Sequence, residues 1–415
     1  MKRRSMLTAS ALALGVAFAP ALAGAQDKKI TVMTWNIPYF TEGFDLWVKE
    51  FNAIHPDFTV ERIDMKGTEI PTFYQTQVVA GTPPDIVDIQ GGLWLQYAAQ
   101  GGLKDLTPYL ERDKDYTDRI YPEILAGWNY EGGTYGVPFY VSKTLLFLNR
   151  NMMREAGITK DPESFDEIMA DAAKMTGGEK SGLMTLNFDW LYWPFFAMNG
   201  VKLVNEDMTA AAFNTPEAVA LVERLAKATA DGVIDKISWT GRWVEPNGAF
   251  AAGNVGMLQA HAPAFLWFKS NSDWVNADTV GAINLPGGWA TPNNHSLVLS
   301  AGSKHPDEAW DFIKIATSGP GAYAMGVGTN NLTGDRIVND ELMAYFEANL
   351  PAVVPALKTQ LANLDKLTGN WPLAKDAEIK EAFYPELQAA LLGQKSAKDA
   401  LDAAEQKVNR ILKSR

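Results

Sequence analysis

The sequence predicts an α/β protein of two lobes. Strand-like and helix-like segments alternate as βαβαβ between residues 30 and 89, and a similar alternation resumes after Gly136-Val137-Pro138. No linker-like tract separates the two runs, so the chain is expected to cross between the lobes several times.

Ile30 to Trp35 reads as a strand, and Phe44, Trp47, Val48, Phe51 and Ile54 then recur at helical spacing on one face. Phe58 to Ile63 returns as a strand. A helix from about Thr68 to Ala80 is stopped by Gly81-Thr82-Pro83-Pro84, and Asp85 to Ile89 is a short apolar strand. Such a unit implies a parallel sheet under helices. Further on, Thr144 to Leu148 reads as a strand and a helix begins near Ser164, which stands at capping-box spacing from Glu167. Asn214 or Thr215 before Pro216 starts another helix, carrying Val222 and Leu225 inward and stopping at Gly232. Ser296 to Ala301 reads as a buried strand, followed by a helix with Pro306 in its first turn and Gly319 at its end. Ile379 to Leu412 is strongly helical.

Residues 1–25 read as a secretion leader: Lys2, Arg3 and Arg4 precede an apolar run from Leu12 to Ala23 that ends in small residues and is too short to span a bilayer. Cleavage after Ala23 or Ala25 suits the pattern, and the Arg3-Arg4 pair leaves a twin-arginine route open beside ordinary secretion. With no cysteine, the chain has no disulfide, no thiolate chemistry and no lipidated tether, which points to a free periplasmic protein of a Gram-negative cell. Removing the three leader cations takes the net charge from -12 to -15, which argues against nucleic acid or an anionic membrane as partner. His55, His261, His295 and His305 lie far apart without a metal-binding spacing, so neither metal nor cofactor is expected.

Five segments, in this order, carry a resemblance: EFNAIHPDFTVE (50–61), AGTPPDIVDI (80–89), YGVPFYVSKTLLFLNRNMMREAGI (135–158), SLVLSAGSKHPDEAWDFIKIATS (296–318) and LLGQKSAKDALDAAEQKVNRIL (391–412). Together they resemble the family 1 extracellular solute-binding proteins, the maltose-binding-protein type of sugar receptor, along essentially the whole sequence after the leader. The resemblance implies a periplasmic-binding-protein type II-like fold, with two α/β lobes joined by a three-segment hinge and a ligand cleft between them. Residues 26–140 plus 291–335 would form the first lobe and 141–290 plus 336–415 the second, with crossings near 139–143, 285–294 and 329–340. By the same likeness the protein is a monomeric, non-catalytic receptor. It would deliver a carbohydrate to the permease subunits of an ABC importer, using closure of the hinge to report loading.

In an open α/β sheet, ligands lie beyond the carboxyl ends of the strands. That rule selects Trp35, Asn36 and Tyr39 after the first strand, Lys66 and Thr68 after the second, and Asp88 and Gln90 at the third. The first turn is aromatic and amide-bearing where a dinucleotide site would need glycines. Sugars suit such a turn, because their C–H faces stack on rings and their hydroxyls need donors and acceptors. The mixture recurs at Asp189-Trp190, at Arg242-Trp243-Val244-Glu245 and from Trp289 to His295. Trp35, Trp190, Trp243 and Trp289 are the expected stacking rings, whereas Trp47 and Trp310 lie on amphipathic helices and are expected to pack. His261 and His295 fall in loops within reach of the cleft, and Tyr140, Ser142, Lys143, Asn294 and Arg336 lie in or beside the implied crossings.

The chain departs from the sugar-binding pattern at Ser142-Lys143, where an aspartate is frequent, at Asn293-Asn294-His295, where a Gly-Gly pair is frequent, and at Gly328 to Thr333, which lacks a proline. Lys66, Lys143, Arg242 and Arg336 would suit an acidic or sulfonated sugar. Asp88, Asp189 and Glu245 keep two alternatives open: a polyamine or other non-sugar solute such as a glycerol phosphodiester, and a secreted glycoside hydrolase. No nucleophile elbow, phosphate loop or metal signature supports the enzyme.

Overall fold

The computed structural model describes residues 28–35, 41–67, 69–369, 371 and 373–414. The leader, Asn36, Tyr39 and Thr68 therefore lie outside the described residues. Among the described residues, eleven strands form two main sheets and one short ribbon. The first sheet contains β1 (Lys29–Trp35), β2 (Thr59–Met65) and β3 (Ile86–Gln90), joined in parallel by the helices Thr41–Ile54 and Ile70–Ala80. After the ribbon of β4 (Asn129–Tyr130) and β5 (Gly133–Thr134), the sheet gains β6 (Val137–Tyr140). The second sheet holds β7 (Thr144–Asn149), β8 (Ser181–Met184), β9 (Val255–His261) and β10 (Val280–Ile283). The chain then returns to the first sheet as β11 (His295–Leu299), which runs antiparallel to both β3 and β6. The orders are β2-β1-β3-β11-β6 and β10-β7-β9-β8.

Both faces of each sheet are covered, so its strands read as apolar runs. In the first sheet the period of two sorts Ile30, Val32, Leu297 and Leu299 to one core and Met33, Val87, Ile89 and Val298 to the other. Trp47 and Trp310 are fully buried, their indole N–H groups donating to the Gly321 carbonyl and the Asp113 carboxylate. Ile54, at the last turn of its helix, runs past the core and is exposed.

The caps explain several boundaries. Helix Ile70–Ala80 ends where Gly81 takes φ 72°, its N–H bonded to Val78 O and that of Thr82 to Gln77 O. Ser164 Oγ accepts the Glu167 N–H at 3.1 Å, while the Glu167 carboxylate reaches the N–H of Glu163, one residue before the cap. Thr215 is the cap before Pro216, accepting from Ala218. Gly319 ends one helix and opens the next, Gly319–Thr329, and the long helical tail divides at Gly393 into Asp376–Leu391 and Ala397–Lys413. Among the described residues no helix is long and apolar enough to cross a membrane.

Candidate functional site

The carboxyl ends of β1 and β3 open onto a cavity of about 270 Å³ whose walls come from both sheets' sides of the molecule. Trp35, Asp88, Gln90 and His295 line it from the first sheet, with Ile70 and Tyr97 from the helices beside it. Asp189, Asp376 and Lys380 line it from the other side.

At the floor, β1 pairs with β3 only through Val32 and Met33, so Trp35 lacks a strand acceptor on that side. The Asp88 side chain takes that role: its Oδ2 accepts the Trp35 N–H at 3.2 Å, and its Oδ1 lies 2.9 Å from Nδ1 of His295. The imidazole stacks on the Trp35 indole with centroids 4.6 Å apart. Gln90 reaches sideways and donates to Asn293.

The opposite wall is built around a strained turn. Asp189 and Trp190 both adopt left-handed backbone, φ 48° and 59°, which side chains of this size avoid unless neighbours impose it. Three contacts impose it on Trp190. Its N–H donates to Tyr384 Oη at 2.6 Å, its Nε1–H to Asp376 at 2.8 Å, and its carbonyl accepts from Thr291 Oγ1 at 3.0 Å. Trp190 is thus 1% exposed and walled in by Trp193, Trp371 and Phe383, which corrects the expectation that it stacks on a ligand. What the turn does is aim Asp189 into the cavity.

Lys380 Nζ lies 2.5 Å from Asp189 and 2.7 Å from Asp376, which sits one turn earlier on the same helix. Burial by itself would lower the Lys380 pKa, but the two carboxylates more than reverse this and raise it. Across the cavity mouth, both carboxylates rest on the turn after β3: a Cβ placed on Gly91 would meet Asp189 at 3.5 Å, and one on Gly92 would meet Asp376 at 3.0 Å.

Half-buried His261, at the end of β9, is held down to about 4, chiefly by burial, with Asp189 opposing the shift and His295 adding to it. A histidine with a depressed folded pKa stays neutral while the unfolded chain takes a proton. Stability is therefore expected to fall as pH drops from 6.5 towards 4, and thermal unfolding of His261→Gln across that window should show a flatter slope.

The remaining candidates lie elsewhere. Tyr140 is buried with its ring edge-on to His295. Ser142 and Asn294 join two chain crossings, the Ser142 N–H donating to Asn294 Oδ1 at 3.1 Å. Lys143 is 1% exposed, donates to the Ala362 carbonyl, and is pushed down to about 8 by burial. Trp289 sits under the Lys366 ammonium, and Trp243 meets Trp267 edge-on at 5.7 Å. Arg242 pairs with Glu245 on the surface at 2.9 Å. Arg336 donates to the Asp118 carbonyl, and Lys66 is exposed beside cavity-lining Gly67. None of these lines the cavity; the polar ends of Lys143, Arg242, Asn294 and Arg336 are instead taken up by the contacts just described.

Sequence reasoning missed Tyr97, Asp376 and Lys380. The spacing of the last two is an i,i+4 pair of opposite charge, a signal that ordinarily marks a solvated helix face. His295, expected in a loop, lies on β11.

Known proteins share this architecture. The chain is 26% identical to a binding protein of Brucella abortus over 353 residues, 79% of this chain and 83% of that protein. It is 25% identical to the diacetylchitobiose-binding protein of Streptomyces coelicolor, over 80% of this chain and 77% of the other. Its fold matches an ABC substrate-binding protein of Listeria monocytogenes solved in complex with cycloalternan, with TM-score 0.77 and 22% identity, covering 93% of this chain and 99% of that one. The family profile described as bacterial extracellular solute-binding protein matches residues 37–322. The chain, with its two sheets and the cavity between them, belongs to the bacterial extracellular solute-binding protein family.

Proposed function

We propose that the cavity holds a short neutral carbohydrate and that the protein presents it, in the periplasm, to the permease of an ABC importer. The observation that carries this reading is the meeting, in one cavity, of the Trp35 indole and the Asp189–Lys380–Asp376 network. An aromatic face binds the C–H side of a sugar ring, and a charged hydrogen-bonding network serves its hydroxyls. The volume, about 270 Å³, lies just below the roughly 300–1,000 Å³ of small-molecule sites, which suits a small sugar. The relative named for diacetylchitobiose supports the ligand class.

Neutrality follows from the lining. Among the described residues, three carboxylates, Asp88, Asp189 and Asp376, face the cavity against the single ammonium of Lys380, whereas Lys66, Lys143, Arg242 and Arg336 do not line it. An anionic sugar would meet net repulsion. Hydrolysis gains no support: Glu245 is outside the cavity, and both oxygens of Asp88 are occupied by Trp35 and His295.

A ligand that binds the folded form raises the melting temperature by mass action. We expect neutral mono- or disaccharides to raise it in a thermal-shift screen, with calorimetry giving one site per chain. A rise only with uronates, polyamines or glycerol phosphodiesters would overturn the neutral-sugar reading while leaving the receptor fold in place.

A further inference from the structure

We infer that Asp88 and His295 are positioning residues that hold Trp35 as a rigid shelf for the ligand; the inference rests on the binding role of the cavity proposed above. The Trp35 indole lines the cavity and its backbone is the last residue of β1. At a strand end, an aromatic side chain is free to change rotamer unless its surroundings prevent it. Here one carboxylate controls both backbone and ring. Asp88, 1% exposed, accepts the Trp35 N–H with one oxygen and faces His295 Nδ1 with the other. A carboxylate in that place accepts, so Nδ1 carries the proton and the imidazole plane is set by it.

The imidazole in turn covers the indole, 4.6 Å between centroids and 19° from parallel. It is itself fenced edge-on by Phe139 at 6.1 Å and Tyr140 at 5.2 Å. β11 supplies the rigidity, since His295 stands opposite Gln90 of β3 and Tyr140 of β6 in the sheet. Gly67 flanks the ring on the cavity side, a Cβ there standing at ordinary contact distance, 3.6 Å, from Cδ1 of Trp35. A buried acid and histidine are costly to desolvate where two apolar residues would pack readily. The pair has a use that an apolar pair would lack, because only a hydrogen-bonding side chain can replace the missing strand acceptor at Trp35.

The test reads the ring first and the ligand second. The protein is labelled with 5-fluorotryptophan, and the Trp35 line in the fluorine spectrum is assigned from its loss in Trp35→Phe. His295→Ala is expected to shift and broaden that line while the other tryptophan lines, which report folding, stay in place. His295→Phe, which restores a stacked ring, should sharpen it again. Calorimetry is then run with diacetylchitobiose, lactose and maltose. For whichever of them raises the melting temperature, His295→Ala and Trp35→Ala should each weaken binding about tenfold, and the double variant little more than either alone. A Trp35 line unmoved by His295→Ala, or losses in affinity that multiply, would overturn the inference. If none of the sugars binds, the carbohydrate reading fails while the fluorine spectrum still decides whether the pair positions the ring.

Discussion

Replacing Lys380 by methionine is expected to lower the stability of the protein by about 3 kcal/mol, the cost of breaking a largely buried ion pair from one side. The ammonium is 18% exposed and bridges two carboxylates that face each other across it. Most of the loss should come from Asp376, 9% exposed, because Asp189 at 37% is screened by water. The pH dependence has a definite sign. Since the folded Lys380 pKa is raised above 10.5, its contribution is fully present below that value and lost as pH climbs through the raised one. The deficit of Lys380→Met should therefore be full at neutral pH and narrow above pH 10.5, where the wild-type ammonium loses its proton. Urea unfolding of the two proteins at neutral pH and above pH 10.5 checks both points. Equal stability at neutral pH would mean that the triad is held together by its surroundings and not by charge.

Asp335→Ala should cost a similar amount, about 3 kcal/mol, from a different source. Asp335 is 1% exposed and serves two masters. One oxygen caps the helix Arg336–Asn349 through the N–H groups of Ile337 at 2.9 Å and Val338 at 3.2 Å. The other accepts from Arg119 Nε at 2.7 Å and from the Gly319 N–H at 3.2 Å. Loss of a cap costs about 1 kcal/mol, and loss of a charged hydrogen bond about 1.5–3. Because Arg119 and Gly319 belong to elements around the first sheet while the capped helix packs Val338, Leu342 and Phe346 into a core of the second, the residue also ties these elements together. Asp335→Asn, which keeps a capping oxygen, should recover part of the loss. Hydrogen exchange should show the helix Arg336–Asn349 opening early in the alanine variant, and unchanged protection there would refute the tie.

The legible part of the fold is the part governed by short-range chemistry. Strand and helix periods, the Gly81 stop and the caps at Ser164 and Thr215 each involve residues a few positions apart, and β1 and β3 place Trp35, Asp88 and Gln90 at the cavity as the strand-end rule requires. Trp190 is illegible because its fate is settled 186 residues later, where Asp376 captures its indole N–H. Lys143 reads as a cleft cation but is drawn inward by the Ala362 carbonyl, 219 residues away, a contact that no local pattern announces. Asp376 and Lys380 escape notice for the converse reason. Their spacing is that of an ordinary surface pair, and only the packing of the helix Asp376–Leu391 against the Asp189 turn makes it a cavity wall.

The place of β11 has a consequence for the order in which the molecule assembles. The second sheet is drawn from one continuous stretch, 144–283, and can be completed as soon as that stretch exists. The first sheet begins earlier yet cannot close, because the strand that joins β3 to β6 is residues 295–299. Until then two strand edges stand open, a state prone to wrong pairing, and the closing contacts span some of the longest sequence separations in the chain. The first sheet thus closes only after the strands of the second have been made, and the closing strand is also the one that delivers His295 to Trp35. Closure of the first sheet and completion of the cavity floor therefore arrive in the same step.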